Sequence, residues 1–273
     1  MTVPRVRTVN SKAGRFYVDP TTAEKVPGVT SITGQLPKEF LRYWASREVA
    51  AYAYDHRHVI ADLERSAAIS LVKSAPDRDT KRAAAIGTAA HAAFEALANG
   101  EEPDAEPFHD KHDLYRDTAA LADVQAMTEH FRDFLATWRP EYVLTEATLW
   151  SDAHKYAGTA DAIAQMDGET VLLDYKTTRS GVHDEVALQL TAYARADFVL
   201  RPDGTRVPPP QIASAAVIHV RPEGWKVVPV RIGDDIFETF LALRKVFDWS
   251  SSIHSTVLGT AITPTTNAKE NHR

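Results

Sequence analysis

Hydrophobic residues along the chain change their period near Pro140, which separates a mostly helical first half from a strand-rich second half. Arg15 to Thr33 (RFYVDPTTAEKVPGVTSIT) sets Pro20, Pro27 and Gly28 between short β-prone runs, the pattern of an irregular arm or small hairpin. From Pro37 to about Val72, Phe40, Leu41, Trp44, Val49 and Tyr52 recur at helical spacing. Asp77 to Asn99 is an alanine-rich helical segment that stops at Gly100. Residues 101–117 (EEPDAEPFHDKHDLYRD) are acidic and broken by Pro103 and Pro107, as in a solvated linker. A further helix is expected from about Thr118 to Trp138.

Beyond Pro140 the alternation predicts three strands, Tyr142 to Trp150, Tyr156 to Met166 and Thr170 to Thr177, the last two joined by an Asp167-Gly168 hairpin turn. Asp184 to Leu200 follows as an amphipathic helix with acidic residues at its start. Strands are expected near Ile212 to Val220 and Trp225 to Ile232, and a last helix from about Asp235 to Trp249. The tail from Ser250 is rich in Ser, Thr and Asn and is expected to be mobile. These elements divide the chain into an arm (1–36), a helical lobe (37–139), an α/β core (140–250) and a flexible tail (251–273). No internal repeat is present.

Composition sets limits on this picture. A chain of 273 residues with 44% hydrophobic content buries one sizeable core, or a core plus a smaller helical lobe. The formal charge of -6 argues against a protein that coats nucleic acid through a broad basic surface, while leaving room for a local groove. There is no cysteine, so disulfides, thiolate zinc sites and cysteine-ligated iron–sulfur clusters are excluded within the chain. No apolar run approaches the roughly 20 residues that span a bilayer, and Met1 to Asn10 lacks a signal-peptide core. A cytoplasmic protein with no membrane contact is expected.

The chemistry gathers in the second half. In LLDYKTT, Asp174 and Lys176 stand two apart on an expected strand and project from one face, while Leu173 and Tyr175 project from the other. The Asp167-Gly168 turn folds Asp161 of GTAD back beside Asp174. Two adjacent carboxylates repel unless a positive charge lies between them, and hard oxygen ligands suit magnesium. An ammonium at Lys176 would stabilise charge on a phosphate or help orient an attacking water. The plain alternative is an ordinary ion pair between Asp174 and Lys176 on an exposed strand. Gly87, His91 and Glu95 share one helix face, where His91 is either an imidazole ligand or a structural histidine. Glu146 shares a strand face with Leu144 and Thr148, as a ligand, a proton acceptor or a surface charge. Gln189 and Tyr193 lie one helical turn apart and either contact DNA or, respectively, face solvent and pack on the sheet.

In order, GTAAHAAFE, GTADAIA, LLDYKTT and QLTAY resemble the motifs of RecB-like nucleases of the PD-(D/E)XK superfamily. The likeness is specific from about residue 80 to 195, and RFYVDPTTAEKVPGVTSIT with PKEFLRYWASREVAAYA resembles the amino-terminal segment of bacteriophage members. The resemblance implies an α/β fold, a mixed central β-sheet flanked by helices (a restriction-endonuclease-like core) with an N-terminal helical lobe. It implies His91, Asp161, Asp174 and the backbone carbonyl of Tyr175 as Mg²⁺ ligands, with Mn²⁺ able to substitute, and Lys176 as the catalytic lysine. It also implies that Gln189 and Tyr193 position DNA. Relatives linked to helicases often carry four cysteines for an iron–sulfur cluster; their absence here favours a stand-alone exonuclease of recombination, repair or phage replication. DNA would be its substrate and a recombination or single-strand annealing protein a partner. The rival reading is a non-catalytic DNA-binding or recombination-partner module that keeps the nuclease fold.

Overall fold

The computed structural model describes residues 5–108 and 117–261. Its centre is a mixed seven-stranded sheet of order β10-β9-β6-β5-β4-β7-β8. Strands β4 (Glu141–Ser151), β5 (Tyr156–Met166) and β6 (Glu169–Lys176) form an antiparallel meander. The β5–β6 turn is the expected Asp167-Gly168 pair, with φ of 49° and 80°, the left-handed conformations that a tight hairpin with right-handed twist requires. β6 runs parallel to β9 (Ser214–Arg221), which pairs antiparallel with β10 (Gly224–Val230). A parallel neighbour needs a crossover, and α7 (Val186–Ala194) lies within it.

Helices cover both faces. On one side α5 (Ala75–Ala98) and α6 (Thr118–Trp138) pack Phe94, Met127, Phe131 and Phe134 against Leu173, Tyr175 and Ile218. Phe131 stacks on Phe94 at 4.4 Å and meets the Tyr175 ring edge-on at 5.1 Å. On the other side α1 (Val29–Thr33), α7 and α8 (Asp234–Ser251) bury Ile32, Leu190, Phe240 and Phe247 against Ile163, Leu172 and Val217. Each such side chain contributes about 1.5–3 kcal/mol through burial. One strand register therefore serves two cores, and β6 sits at the centre of both.

Several expectations need correction. The first 36 residues are more than an arm or small hairpin: β1 (Thr8–Ser11), β2 (Gly14–Val18) and β3 (Lys25–Pro27) form a three-stranded sheet. Tyr17 of β2 ties it to the core through a 3.0 Å hydrogen bond with Thr159. The helix expected over 184–200 ends at Ala194, and β7 (Phe198–Leu200) pairs with Leu149 and Trp150 of β4. Asp197 explains the break, because its backbone N–H donates to Trp150 O at 2.9 Å and its carboxylate accepts from Ala153 N, also at 2.9 Å. A short β8 (Arg206–Val207) completes that edge. The expected solvated linker has an apolar anchor, since Phe108 is buried in the α5–α6 core; residues 109–116 lie outside the described residues. Of the tail expected to be mobile, Ile253–Thr256 forms a 3-10 turn and residues 262–273 lie outside the described residues.

The segment from 37 to 72 is helical as α2 (Phe40–Asp55), α3 (Arg57–Ala61) and α4 (Arg65–Lys73), yet none of the three buries a residue. No helix among the described residues is long and apolar enough to cross a membrane.

Candidate active site

The last ladder pair between β5 and β6 is Ala162 with Leu173, so the register sets Asp161 opposite Asp174 one step further on. Across the other edge of β5, the pairs Thr145–Ala162 and Ala147–Ala160 bracket Glu146 opposite Asp161. Three carboxylates thus occupy one row over β4, β5 and β6. At this row the backbone ladder gives way: the Tyr175 N–H donates to Asp161 Oδ2 at 2.6 Å.

Asp174 is buried, at 3% exposure. The Lys176 ammonium donates to its Oδ1 at 2.8 Å and forms an ion pair with Oδ2 at 2.7 Å. Burial pushes the Asp174 carboxyl up to about 6; the Asp161 charge adds to the rise, and Lys176 and His91 oppose it. Glu146 is pushed up to about 7, by burial first and by Asp161 next, against the pull of Arg5. Its side chain is only 14% exposed, so a plain surface charge is excluded. Glu146 also holds φ at 49°, a left-handed backbone that costs a non-glycine residue about 1–3 kcal/mol and occurs preferentially at functional sites.

The α5 helix brings His91 to this row, with Nδ1 3.8 Å from Asp161 Oδ1. One turn earlier Gly87 lets the helix approach the end of β6, since a Cβ there would stand 3.2 Å from Thr177 Oγ1. One turn later Glu95 pairs with Arg5 at 2.5 Å, and the same guanidinium lies 3.5 Å from Glu146. From α7, Gln189 donates to Asp174 Oδ1 at 2.9 Å and lies 3.5 Å from the Tyr193 hydroxyl. Gln189 therefore turns toward the carboxylates and away from solvent, while Tyr193 is buried against the sheet.

A family model described as the PD-(D/E)XK nuclease superfamily matches residues 56–222, which include this whole constellation except Arg5. The chain belongs to that superfamily. No curated protein matches. A solved structure titled "Crystal structure of SSO0001" is 14% identical, covers 66% of this chain and 84% of its own, and has a TM-score of 0.30, too low to bear on the argument.

Glu146, Asp161, Asp174 and Lys176 all lie within the matched residues. Among the described residues no group of three His, Asp or Glu side chains closes to metal-binding distance. The donor set nonetheless fits a divalent cation. Hard oxygens and an imidazole converge, and burial, with the Asp161 charge adding to it, raises the Asp174 and Glu146 carboxyls, a cost that a bound cation would relieve. Gly158 and Arg5 had escaped the sequence reading. The signal for Gly158 was a glycine inside a strand, which marks a close approach: a Cβ there would meet Tyr193 Cε1 at 2.3 Å. For Arg5 the sequence carries no signal.

Proposed function

We propose that this protein is a divalent-metal-dependent deoxyribonuclease of RecB-like type, acting as an exonuclease on DNA in recombination, repair or phage replication. The observation that carries the reading is the buried Asp174 carboxylate, which shares one sheet row with Asp161 and Glu146 and is paired at both oxygens with the Lys176 ammonium two residues on. Asp161, Asp174 and His91 would hold Mg²⁺, or Mn²⁺ in its place, with the Tyr175 backbone carbonyl completing the shell and Glu146 facing it as a further ligand or a proton acceptor. Bound there, the cation would supply Lewis acidity toward a phosphodiester. Lys176, 30% exposed at its side chain, presents its ammonium to the phosphate oxygens and offsets negative charge as the phosphorus–oxygen bond breaks. Gln189, which holds the Asp174 carboxylate in place, would position DNA beside the row, while Tyr193, 4% exposed, packs in the core on the same helix rather than touching DNA itself. A single-strand annealing or recombination protein is the partner that this role calls for.

The test uses linear DNA labelled at either end beside a covalently closed circle, with Mg²⁺, with Mn²⁺ and with EDTA. An exonuclease releases label from the linear DNA with either metal and leaves the circle closed. Discrete fragments from the circle would overturn the exonuclease reading. Equal cleavage by Asp174→Ala or Lys176→Ala would overturn the site. Calorimetric titration with Mn²⁺ addresses the binding-only module: the nuclease reading requires that Asp161→Ala lose the binding heat.

A further inference from the structure

Beside the acidic row, α2 and α5 enclose an open cleft of about 950 Å³ that the chemistry above does not use. We propose that this cleft is the track for an unpaired nucleic-acid strand, whose bases stack on Phe40, Tyr43 and Trp44 and whose phosphates are drawn by Arg47. The proposal rests on the nuclease reading only for where the track leads.

The first ground is the aromatic wall. α2 buries no residue, so its aromatic rings do not serve a core; Tyr43 is 77% exposed, and Phe40, 47% exposed, has one face stacked on His183 at 5.4 Å. Rings left open on a helix that flanks a cleft are costly unless a ligand covers them. A free aromatic face accepts any base, provided that the base is not already stacked and paired within a duplex.

Charge supplies the second ground. Arg47, Arg82, Arg179 and Arg221 line the cleft against Glu48, Asp79 and Asp123, a local positive excess in a chain of net charge -6. Two of these arginines are fixed: Arg82 binds Asp117 at 2.7 Å and Arg221 donates to Thr177 O at 2.7 Å. Arg179 is exposed but also held, by a hydrogen bond to Asp79, and Arg47 alone of the four is both exposed and without a close acidic partner. Arg47 is 76% exposed with its nearest acid 3.7 Å away, and Arg179 is 57% exposed in a pair with Asp79.

The third ground is continuity. Gly87 and Thr177 both line the cleft. Gly87 lies one turn before His91 on α5, and Thr177 follows Lys176 directly, so the cleft runs up to the neighbours of the acidic row.

Fluorescence anisotropy of a fluorescein-labelled oligothymidylate, in EDTA so that nothing is cut, tests the track. The wild type is expected to prefer the single strand to a duplex of equal length. Tyr43→Ala and Trp44→Ala should each weaken single-strand binding about tenfold. Arg47→Ala should weaken it and flatten its salt dependence by about 0.7 of a unit of log–log slope. Trp249→Ala, which removes a half-exposed ring on α8, should leave it unchanged. Tyr43 is so exposed that its variant folds even if Trp44→Ala does not. Unaltered affinity in folded Tyr43→Ala, or equal affinity for duplex, would overturn the proposal. A change of sedimentation in Tyr43→Ala without a change in strand affinity would likewise overturn it and mark the face as a contact between copies of the chain. Because binding is read without turnover, failure of the nuclease reading appears as a wild type that binds the strand but cuts nothing, whereas failure of the track appears as an active enzyme indifferent to Tyr43.

Discussion

Gly158→Ala is the most economical probe of how the fold holds its acidic row. A methyl at this position would stand 2.3 Å from Tyr193 Cε1, 2.9 Å from the hydroxyl oxygen and 3.0 Å from Cζ. Carbon atoms rest about 3.5–4.0 Å apart, so the ring must retreat by more than about 1 Å. It has little space for that, because Leu190 and Ala192 of the same helix are fully buried. Overpacking of this kind costs about 1–3 kcal/mol. In a chain of this size it should lower the melting temperature by roughly 2–12 °C. The displaced ring carries Gln189 with it and loosens the bond to Asp174, so DNA cleavage should fall about 10- to 100-fold. Urea unfolding and end-labelled cleavage measure the two effects. Adding Tyr193→Leu removes the far half of the ring, and the double variant should be more stable than the sum of the singles by about 0.5–3 kcal/mol. Additive losses would refute the claim that Gly158 exists to admit this ring.

Gln189→Ala removes the 2.9 Å bond to Asp174 Oδ1 and should lower cleavage about 10- to 100-fold while changing stability by about 1 kcal/mol or less; undiminished cleavage would count against its positioning role. Phe131→Ala empties a fully buried site between Phe94 and Tyr175 and should cost about 3–5 kcal/mol in urea unfolding, with a much smaller loss showing that this face collapses readily. Asp19→Asn tests a pH dependence: burial alone would raise the Asp19 carboxyl, but hydrogen bonds from Thr22 N, Arg206 and Thr21 N hold it below the usual carboxylate value. A lowered folded pKa stabilises the protein above the unfolded value and ceases to do so as pH falls through the folded one. The variant should therefore be about 2 kcal/mol less stable at pH 7, with the gap closing below about pH 4; a gap independent of pH would contradict this.

What the sequence made legible was local. Asp167-Gly168 announces its hairpin because few other pairs adopt two left-handed conformations, and with that turn the opposition of Asp161 and Asp174 follows by counting. Thr118–Trp138 is readable because its helical period is uninterrupted and Asp117 caps it by accepting from Ala120 N at 2.9 Å. What escaped depended on distant partners. Phe198–Leu200 continues an apolar run and reads as helix; only the unpaired edge of β4, some fifty residues earlier, makes it a strand. Glu146 looks like any alternating strand residue, and its left-handed backbone appears only when it is set against Asp161. Arg5 reaches Glu95 and, across more than half of the chain, Glu146, contacts that no window of sequence contains.

The substitution of a side chain for the backbone ladder beside β6 gives the molecule a built-in gauge. The Tyr175 amide proton has Asp161 Oδ2 as its acceptor, so anything that draws that oxygen elsewhere must alter the amide's surroundings. In a ¹⁵N-labelled sample the Tyr175 amide resonance, near the end of β6, should shift as magnesium is added. Occupancy of the centre can then be followed without a substrate, and Asp161→Asn, which keeps an acceptor but loses the charge, should blunt the response.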